Sequence, residues 1–331
     1  MSCGYPTAAV YDYLCSAMPL SANRISDCLK QLNFGPKIEV AVRTILAPRP
    51  DEVAENQDNF LLIDAMGRTV FLRGQRPVLQ QVEGWPLGHV RLALMDGMGG
   101  HRNGREVAEA IANGLTRIPA ARDLQTLNAA LETLHRQIQA GYPEKPLRPG
   151  ATLLLLEFPP DSPTFLFHVG DSRLVQVSHD AVRILTVDHV PATACALRNE
   201  IDETDWRNQV QEQNRSVVSQ AFVLGNMLEN PSELADELYD LNTDRLPSFL
   251  RTWPDRRSIV MDPDSVYVLA SDGMWSFLDP QAWIRRWPQI LHGSQKSLQS
   301  RLDDLFIQHI IASAEEVDID NSTAIAVSVR P

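Results

Sequence analysis

The sequence predicts an α+β fold of stacked layers, built mainly from antiparallel strands. Three observations carry that expectation. Strand-like runs arrive in clusters, with paired amphipathic helices between them. The order is not the steady strand–helix alternation that builds a doubly wound parallel sheet. The 331 residues, 44% hydrophobic and 22% charged, can bury a substantial core, as one large domain or two small ones.

The elements follow in order. Residues 1–35 form a mixed segment with a short helix around Ala22–Leu32 and no readable role. A strand starts at Lys37, where Ile38, Val40 and Val42 alternate with Glu39, Ala41 and Arg43. The turn Ala47-Pro48-Arg49-Pro50 ends it. Phe60–Ile63 reads as a second strand, 65–89 as a loop or hairpin insertion, and Val90–Met95 as a strand entering a glycine turn. Val107, Ala108, Ile111, Ala112, Leu115 and Ile118 recur at helical spacing, as do Leu124, Leu127, Leu131, Leu134 and Ile138. Both stripes are expected to face a core. Four strands follow, Ala151–Phe158, Thr164–Val169, Leu174–Val177 and Val182–Leu185, with turns at Asp161-Ser162-Pro163 and Ser178-His179-Asp180. Residues 198–215 are polar and are expected to be exposed and free to move. Strand Val266–Ala270, helices around Gln281–Leu291 and Leu298–Ala314, and strand Thr323–Val329 complete the chain.

Composition narrows the function. A net charge of −12 argues against a general nucleic-acid or anionic-membrane binder. No apolar run approaches the roughly 18–20 residues of a membrane span. Met1–Leu20 lacks the basic start and continuous apolar core of a signal peptide. Cys3, Cys15, Cys28 and Cys195 have no CxxC spacing, which supports neither a zinc site nor a disulfide framework. A soluble cytoplasmic protein with reduced thiols is expected.

The chemistry concentrates at strand ends. Leu92-Ala93-Leu94-Met95 runs into Asp96-Gly97-Met98-Gly99-Gly100-His101, which places one acid at a strand tip with glycines beyond it. Val266–Ser271 runs into Asp272-Gly273, and Asp320-Asn321 opens into the last strand. Each Asp-Gly alone could be an ordinary turn. Converging, the three acids would make an oxygen-rich site for magnesium or manganese, which prefer about six oxygens, several of them water. Two such ions roughly 3.5–4 Å apart can activate a bridging water for attack on phosphorus. Asp96 is the natural bridging ligand, because Gly97 beside it can offer its carbonyl unobstructed. A nucleotide-phosphate turn is the competing reading. However, the segment fits neither the dinucleotide fingerprint nor a P-loop.

Taken together, the motifs resemble the metal-dependent serine/threonine protein phosphatases of the 2C type, in a bacterial-like form. The resemblance rests on Glu55-Asn56-Gln57-Asp58-Asn59-Phe60, Asp96-Gly97-Met98-Gly99-Gly100-His101, Gly150-Ala151-Thr152, Gly170-Asp171-Ser172-Arg173 with Leu185-Thr186-Val187-Asp188-His189, Ser271-Asp272-Gly273-Met274-Trp275, and Asp320-Asn321-Ser322-Thr323. These stand in the family's order and span most of the chain. The resemblance implies a four-layer α-β-β-α sandwich of two packed antiparallel β-sheets flanked by helix pairs, with a dinuclear centre at one edge. It implies residues 36–331 as the catalytic domain, with a variable flap at about 190–261, behind an extension at 1–35. By position, Asp96, Asp272 and Asp320 are implied metal ligands, with the Gly97 carbonyl. Asp58 would act at the metals or just behind them, and Asp171 would help hold a third, weaker ion. The implied cofactors are two Mn2+ or Mg2+. The implied partners are phosphorylated proteins, countering a serine/threonine kinase.

The chain departs from the family pattern at several positions. Gln57 replaces a glutamate. The family's phosphate-gripping arginine sits nearer the early motif than Arg49, the favoured candidate here, with Arg43 the other. Met98 stands where many eukaryotic members carry a histidine, and Ser276 where an acid for the third metal is often found. For His101 an exposed helix start is expected, for Arg173 a structural partnership near Asp171, for His189 a turn, and for Trp275 a core position. The expected activity is hydrolysis of phosphoserine and phosphothreonine. The departures motivate an alternative, a catalytically weak phosphatase-like binding or sensor module. A third reading, a small phosphoester substrate, shares the same metal chemistry.

Overall fold

The computed structural model describes residues 20–47, 55–98, 103–144, 148–213, 217–293, 295–313 and 320–330. Helix α1 (Leu20–Leu29) leads into strand β1 (Ile38–Ile45). Then come β2 (Asn59–Ile63), β3 (Arg68–Arg73), β4 (Arg76–Gln81), β5 (Val90–Met95) and the short β6 (Gly97–Met98). Helices α2 (Gly104–Leu115) and α3 (Leu124–Gln139) precede β7 (Gly150–Ala151), β8 (Leu153–Phe158), β9 (Thr164–Val169), β10 (Arg173–Val177) and β11 (Val182–Ile184). A peripheral region holds α4 (Pro191–Leu197), α5 (Glu203–Val210), β12 (Gln220–Ala221) and β13 (Gly225–Asn226). Strands β14 (Arg256–Ile259) and β15 (Val266–Ala270), helices α6 (Pro280–Ile284), α7 (Trp287–His292) and α8 (Leu298–Ser313), and strand β16 (Ser322–Val329) follow. Among the described residues, no helix is long and apolar enough to cross a membrane.

The strands form two large antiparallel sheets, ordered β1-β16-β15-β10-β11 and β14-β9-β8-β5-β2-β3-β4. Phe60, Leu62, Leu92, Leu94, Leu154 and Leu156 of the larger sheet meet Val42, Leu174, Leu269, Ile325 and Val327 of the smaller one. The alternate residues Leu61, Ile63, Ala93, Met95 and Leu155 pack beneath α2 and α3. On the opposite side, Ala41, Val268, Ala270 and Ala326 pack beneath α6–α8. The result is the expected α-β-β-α sandwich. Its central strands read as unbroken apolar runs because both their faces are covered, so no polar face is required. On β1 the alternation survives because the polar partners reach the helix layer. Glu39 Oε1 accepts the Leu298 N–H at 3.0 Å, and Arg43 lies 3.7 Å from Asp303.

Burial on both faces does not exclude charge. Arg91, at the far end of β5, is fully buried. Its guanidinium forks onto Glu157 (2.6 and 2.9 Å) and donates to the carbonyls of Leu115, Ile118 and Pro119. It thereby satisfies the end of α2, whose last carbonyls have no partner within the helix.

Four local expectations are refined. The 65–89 segment is a hairpin, β3–β4, turning through Gly74 and Gln75, both at positive φ (54° and 61°), as a tight hairpin demands. The 151–158 strand breaks at Thr152, where β7 leaves the large sheet to pair with β6. The 281–291 helix is two short ones, with Pro288 in the first turn of the second. The 198–215 stretch is mostly exposed among its described residues, as expected, but α5 lies within it. The Asp202 carboxylate accepts the Asp205 N–H at 2.9 Å as an N-cap. Trp206 is only 3% exposed, packed with Val210, Val187, Leu241 and Leu246. Two apolar residues four apart are enough to seat a short helix, and the polar majority around them hides the stripe.

Candidate active site

Strand register gathers the acids. Asp58 precedes β2, whose Asn59 faces Met95 of β5, so Asp58 and Asp96 leave the larger sheet at one end. In the smaller sheet Ala270 faces Ala324, so Asp272, just past β15, and Asp320, just before β16, share an end. Arg173 opens β10 opposite Ala270, and that brings the turn containing Asp171 to the same edge.

Hydroxyl groups lock these ends together. Ser271 Oγ donates to Asp58 Oδ2 at 2.8 Å and accepts the Thr323 N–H at 2.9 Å, which bridges the two sheets. Thr152 Oγ1 accepts the Asp96 N–H at 3.0 Å, while the Thr152 N–H donates to the Asp96 carbonyl at 2.8 Å. Ser172 Oγ lies 2.6 Å from Thr152 Oγ1 and ties in the Asp171 turn. Asn321 clamps the third corner: its Oδ1 accepts the Ala47 N–H (3.0 Å) and its Nδ2 donates to the Glu55 carbonyl (3.2 Å). Sequence reasoning missed this layer. Its signal was present: a Ser or Thr stands within three positions of an acid in the motifs that carry Asp171, Asp272 and Asp320.

The glycines after the acids are dictated by close approach, not by φ. A Cβ on Gly273 would lie 2.0 Å from the Asn321 carbonyl oxygen, and one on Gly97 would lie 2.4 Å from that of Gly104. Gly97 is therefore the point where α2 docks against the acid turn. Gln57 closes the same contact, with its Oε1 2.7 Å from the position a Gly104 Cβ would take.

The site is electrostatically unbalanced. Burial, then the charges of Asp58, Asp272, Asp171 and Asp320, push Asp96 well above the usual carboxylate range. Burial likewise raises Asp58, reinforced by Asp320 and Asp272 and eased by hydrogen bonds from Thr323 and Ser271. Burial also raises Asp171, with Asp272 and Asp188 adding to it. Asp272 is raised to about 6, first by burial and then by Asp320, and is eased by a hydrogen bond with Asp96. Arg173 eases Asp171 and Asp272 but is itself paired with Asp188 at 2.7 Å. Carboxylates thus gather at one edge, in an all-oxygen donor set that suits a hard divalent metal. Among the described residues no three His, Cys, Asp or Glu side chains close into a ready-made cage. Magnesium and manganese do not need one, since one or two carboxylates plus water commonly hold them.

Asp58, Asp96, Gly97, Asp171, Asp272 and Asp320 come together at one edge. Arg49 and His101 lie outside the described residues. Arg43 faces Asp303 on α8, turned toward the helix layer. Met98 pairs with Gly150 in β6–β7, and Ser276 Oγ donates to the Asp272 carbonyl at 3.1 Å, bracing the turn. Arg173 is a buried structural partner near Asp171, as expected, with its guanidinium hydrogen-bonded to Asp188. His189 is a fully buried strut rather than a turn marker, its Nδ1 accepting the Gly170 N–H at 3.2 Å. Trp275 is buried as expected, with the Arg173 guanidinium 4.5 Å from its ring centre.

Comparison with known proteins follows this geometry. The serine/threonine phosphatase of S. agalactiae matches with a TM-score of 0.61 at 19% identity, over 88% of this chain and 100% of that one. The PPM Ser-Thr phosphatase MsPP from Mycobacterium smegmatis, solved in complex with cacodylate, matches with a TM-score of 0.58 at 18% identity, over 89% and 100%. The catalytic domain of PstP, solved in complex with 2 manganese ions, gives 0.53 at 18% identity, over 89% and 99%. No family model and no curated protein matches the sequence. At these identities the likeness is one of fold: the chain is folded like the bacterial PPM serine/threonine phosphatases.

Proposed function

We propose that this protein is a metal-dependent phosphatase that hydrolyses phosphoserine and phosphothreonine esters in other proteins. The observation that carries the reading is the convergence of Asp58, Asp96, Asp171, Asp272 and Asp320 at one edge of a phosphatase-like sandwich. Asp96, Asp272, Asp320 and the Gly97 carbonyl would hold two Mn2+ or Mg2+ ions, and Asp171 would help hold a third. When bound, such ions supply a water of lowered pKa and positive charge beside the phosphoryl oxygens. The chain's own part is rigidity. Ser271 fixes Asp58, Thr152 fixes the backbone of Asp96, and Asn321 fixes the Asp320 loop. The Asp58 carboxylate is held by hydrogen bonds from Ser271 and Thr323. Arg49 would grip the phosphate. We take residues 36–331 as the catalytic domain, 190–261 as its flap, a cytoplasmic setting, and a serine/threonine kinase as the opposing activity.

Hydrolysis of a phosphothreonine peptide with and without manganese, beside Asp272→Asn, tests this. Manganese-dependent turnover lost in the variant is expected. Full turnover in a chelator would overturn the metal mechanism. Manganese binding without turnover would favour a sensor module instead, a reading that the apolar Met98 beside Asp96 supports.

A further inference from the structure

A cavity of about 170 Å³ opens beside the acids, bordered at one end by Asp171 and Asp272. Apolar groups make up most of its walls: Trp275 on one side, Val190, Pro191 and Ala192 at the start of α4, and Val210 at the end of α5. Asp188, Gln209 and Gln213 line it too, as does Arg173. Arg173 is 2% exposed, and its Nε and Nη2 are taken by Asp188 and the Val210 carbonyl, yet its Nη1 has no hydrogen-bond partner. A buried donor without an acceptor is costly, so an acceptor from outside the chain is favoured there.

The size selects the occupant. Ligand pockets for nucleotides or cofactors generally run to about 300–1,000 Å³. A dry cavity of about 150 Å³ holds one benzene. This one fits a single branched or aromatic side chain. Its position selects the source: a phosphoester seated at Asp171 and Asp272 carries a neighbouring residue whose Cα is about 3.8 Å from its own. Resting on the phosphatase reading, we propose that this cavity receives the side chain next to the phosphorylated residue. It prefers leucine or phenylalanine there, and Arg173 Nη1 donates to a carbonyl of the same peptide. The flap helices would thereby give the site a sequence preference that the metal chemistry alone lacks.

The test uses manganese-loaded protein and phosphothreonine peptides that differ only in the residues flanking the phosphothreonine, as alanine, leucine, phenylalanine or aspartate. kcat/KM is measured on these, and binding by fluorescence anisotropy on labelled versions with a non-hydrolysable difluorophosphonate. Gln209, half-exposed at the cavity's mouth, is changed to tryptophan as a plug, with a melting curve to establish that the variant is folded. Leucine or phenylalanine is expected to beat alanine by about tenfold or more in both measures, as burial of one such side chain allows. Gln209→Trp is expected to bring the ratio toward one. A binding preference without hydrolysis would sink the phosphatase reading and leave the pocket standing. Equal affinity across the peptides, no binding of any, or a preference that Gln209→Trp leaves intact would overturn the proposal.

Discussion

Ser271 shows how much of the site depends on groups that do no chemistry. Its hydroxyl donates to Asp58 and accepts the Thr323 amide, joining the two sheets at the acid edge. Ser271→Ala leaves a buried carboxylate and a buried N–H each short of a partner, a loss of about 1–3 kcal/mol. We expect a lower urea midpoint with an unchanged slope, and weaker manganese affinity because Asp58 loses a hydrogen bond that favours its charged form. An unaltered midpoint and affinity would contradict the bridge. Asp272 makes the complementary case. Its pKa in the folded protein is raised to about 6, from an ordinary aspartate value of 3.8. The native state therefore holds this proton more tightly than the unfolded chain, so the associated stability is present below pH 4 and lost as pH rises through 6. In metal-free protein, Asp272→Asn is expected to gain on the wild type between pH 4 and 6 and level off above 7, by at most about 3 kcal/mol. Chemical denaturation across that range, without metal, reads it directly. A difference that does not vary with pH would refute the assignment.

At the scale of elements, position along a strand decided what was legible. Asp96, Asp272 and Asp320 could be read because each adjoins a long apolar run that has no plausible home outside a core. Asp58 and Asp171 flank strands just as firmly packed. Helix α5 was not legible, because its seating depends on Trp206 meeting Leu241 and Leu246, some 35–40 residues later in the chain. The bond from the Trp206 indole N–H to Thr193 Oγ1 (3.0 Å) ties it to α4 as well. Trp206→Ala is expected to remove about 3–5 kcal/mol from this peripheral cluster. Amide exchange should rise across 190–250 while β5, β8 and β15 stay protected. Uniform loss of protection would mean that the flap and the sandwich unfold as one unit.

The whole molecule explains why a fold can be plain in a sequence when its fine chemistry is not. Clusters of strands separated by helix pairs have few layered solutions, and the α-β-β-α sandwich is the one adopted. The hydroxyl bridges, the fork of Arg91 on Glu157 and the break at Thr152 join residues tens to hundreds of positions apart, so no local period encodes them. The acid edge follows from the same logic. Antiparallel register places the beginning of one strand beside the end of its neighbour, and the sequence sets its carboxylates at those points. That edge gathers negative charge that a pair of divalent ions would balance.

Diffraction at the manganese absorption edge, from crystals grown with millimolar manganese, tests this centre most directly. Two anomalous peaks roughly 3.5–4 Å apart are expected, with Asp96 between them and Asp272 and Asp320 alongside. An edge without peaks, or ions bound elsewhere on the surface, would contradict it.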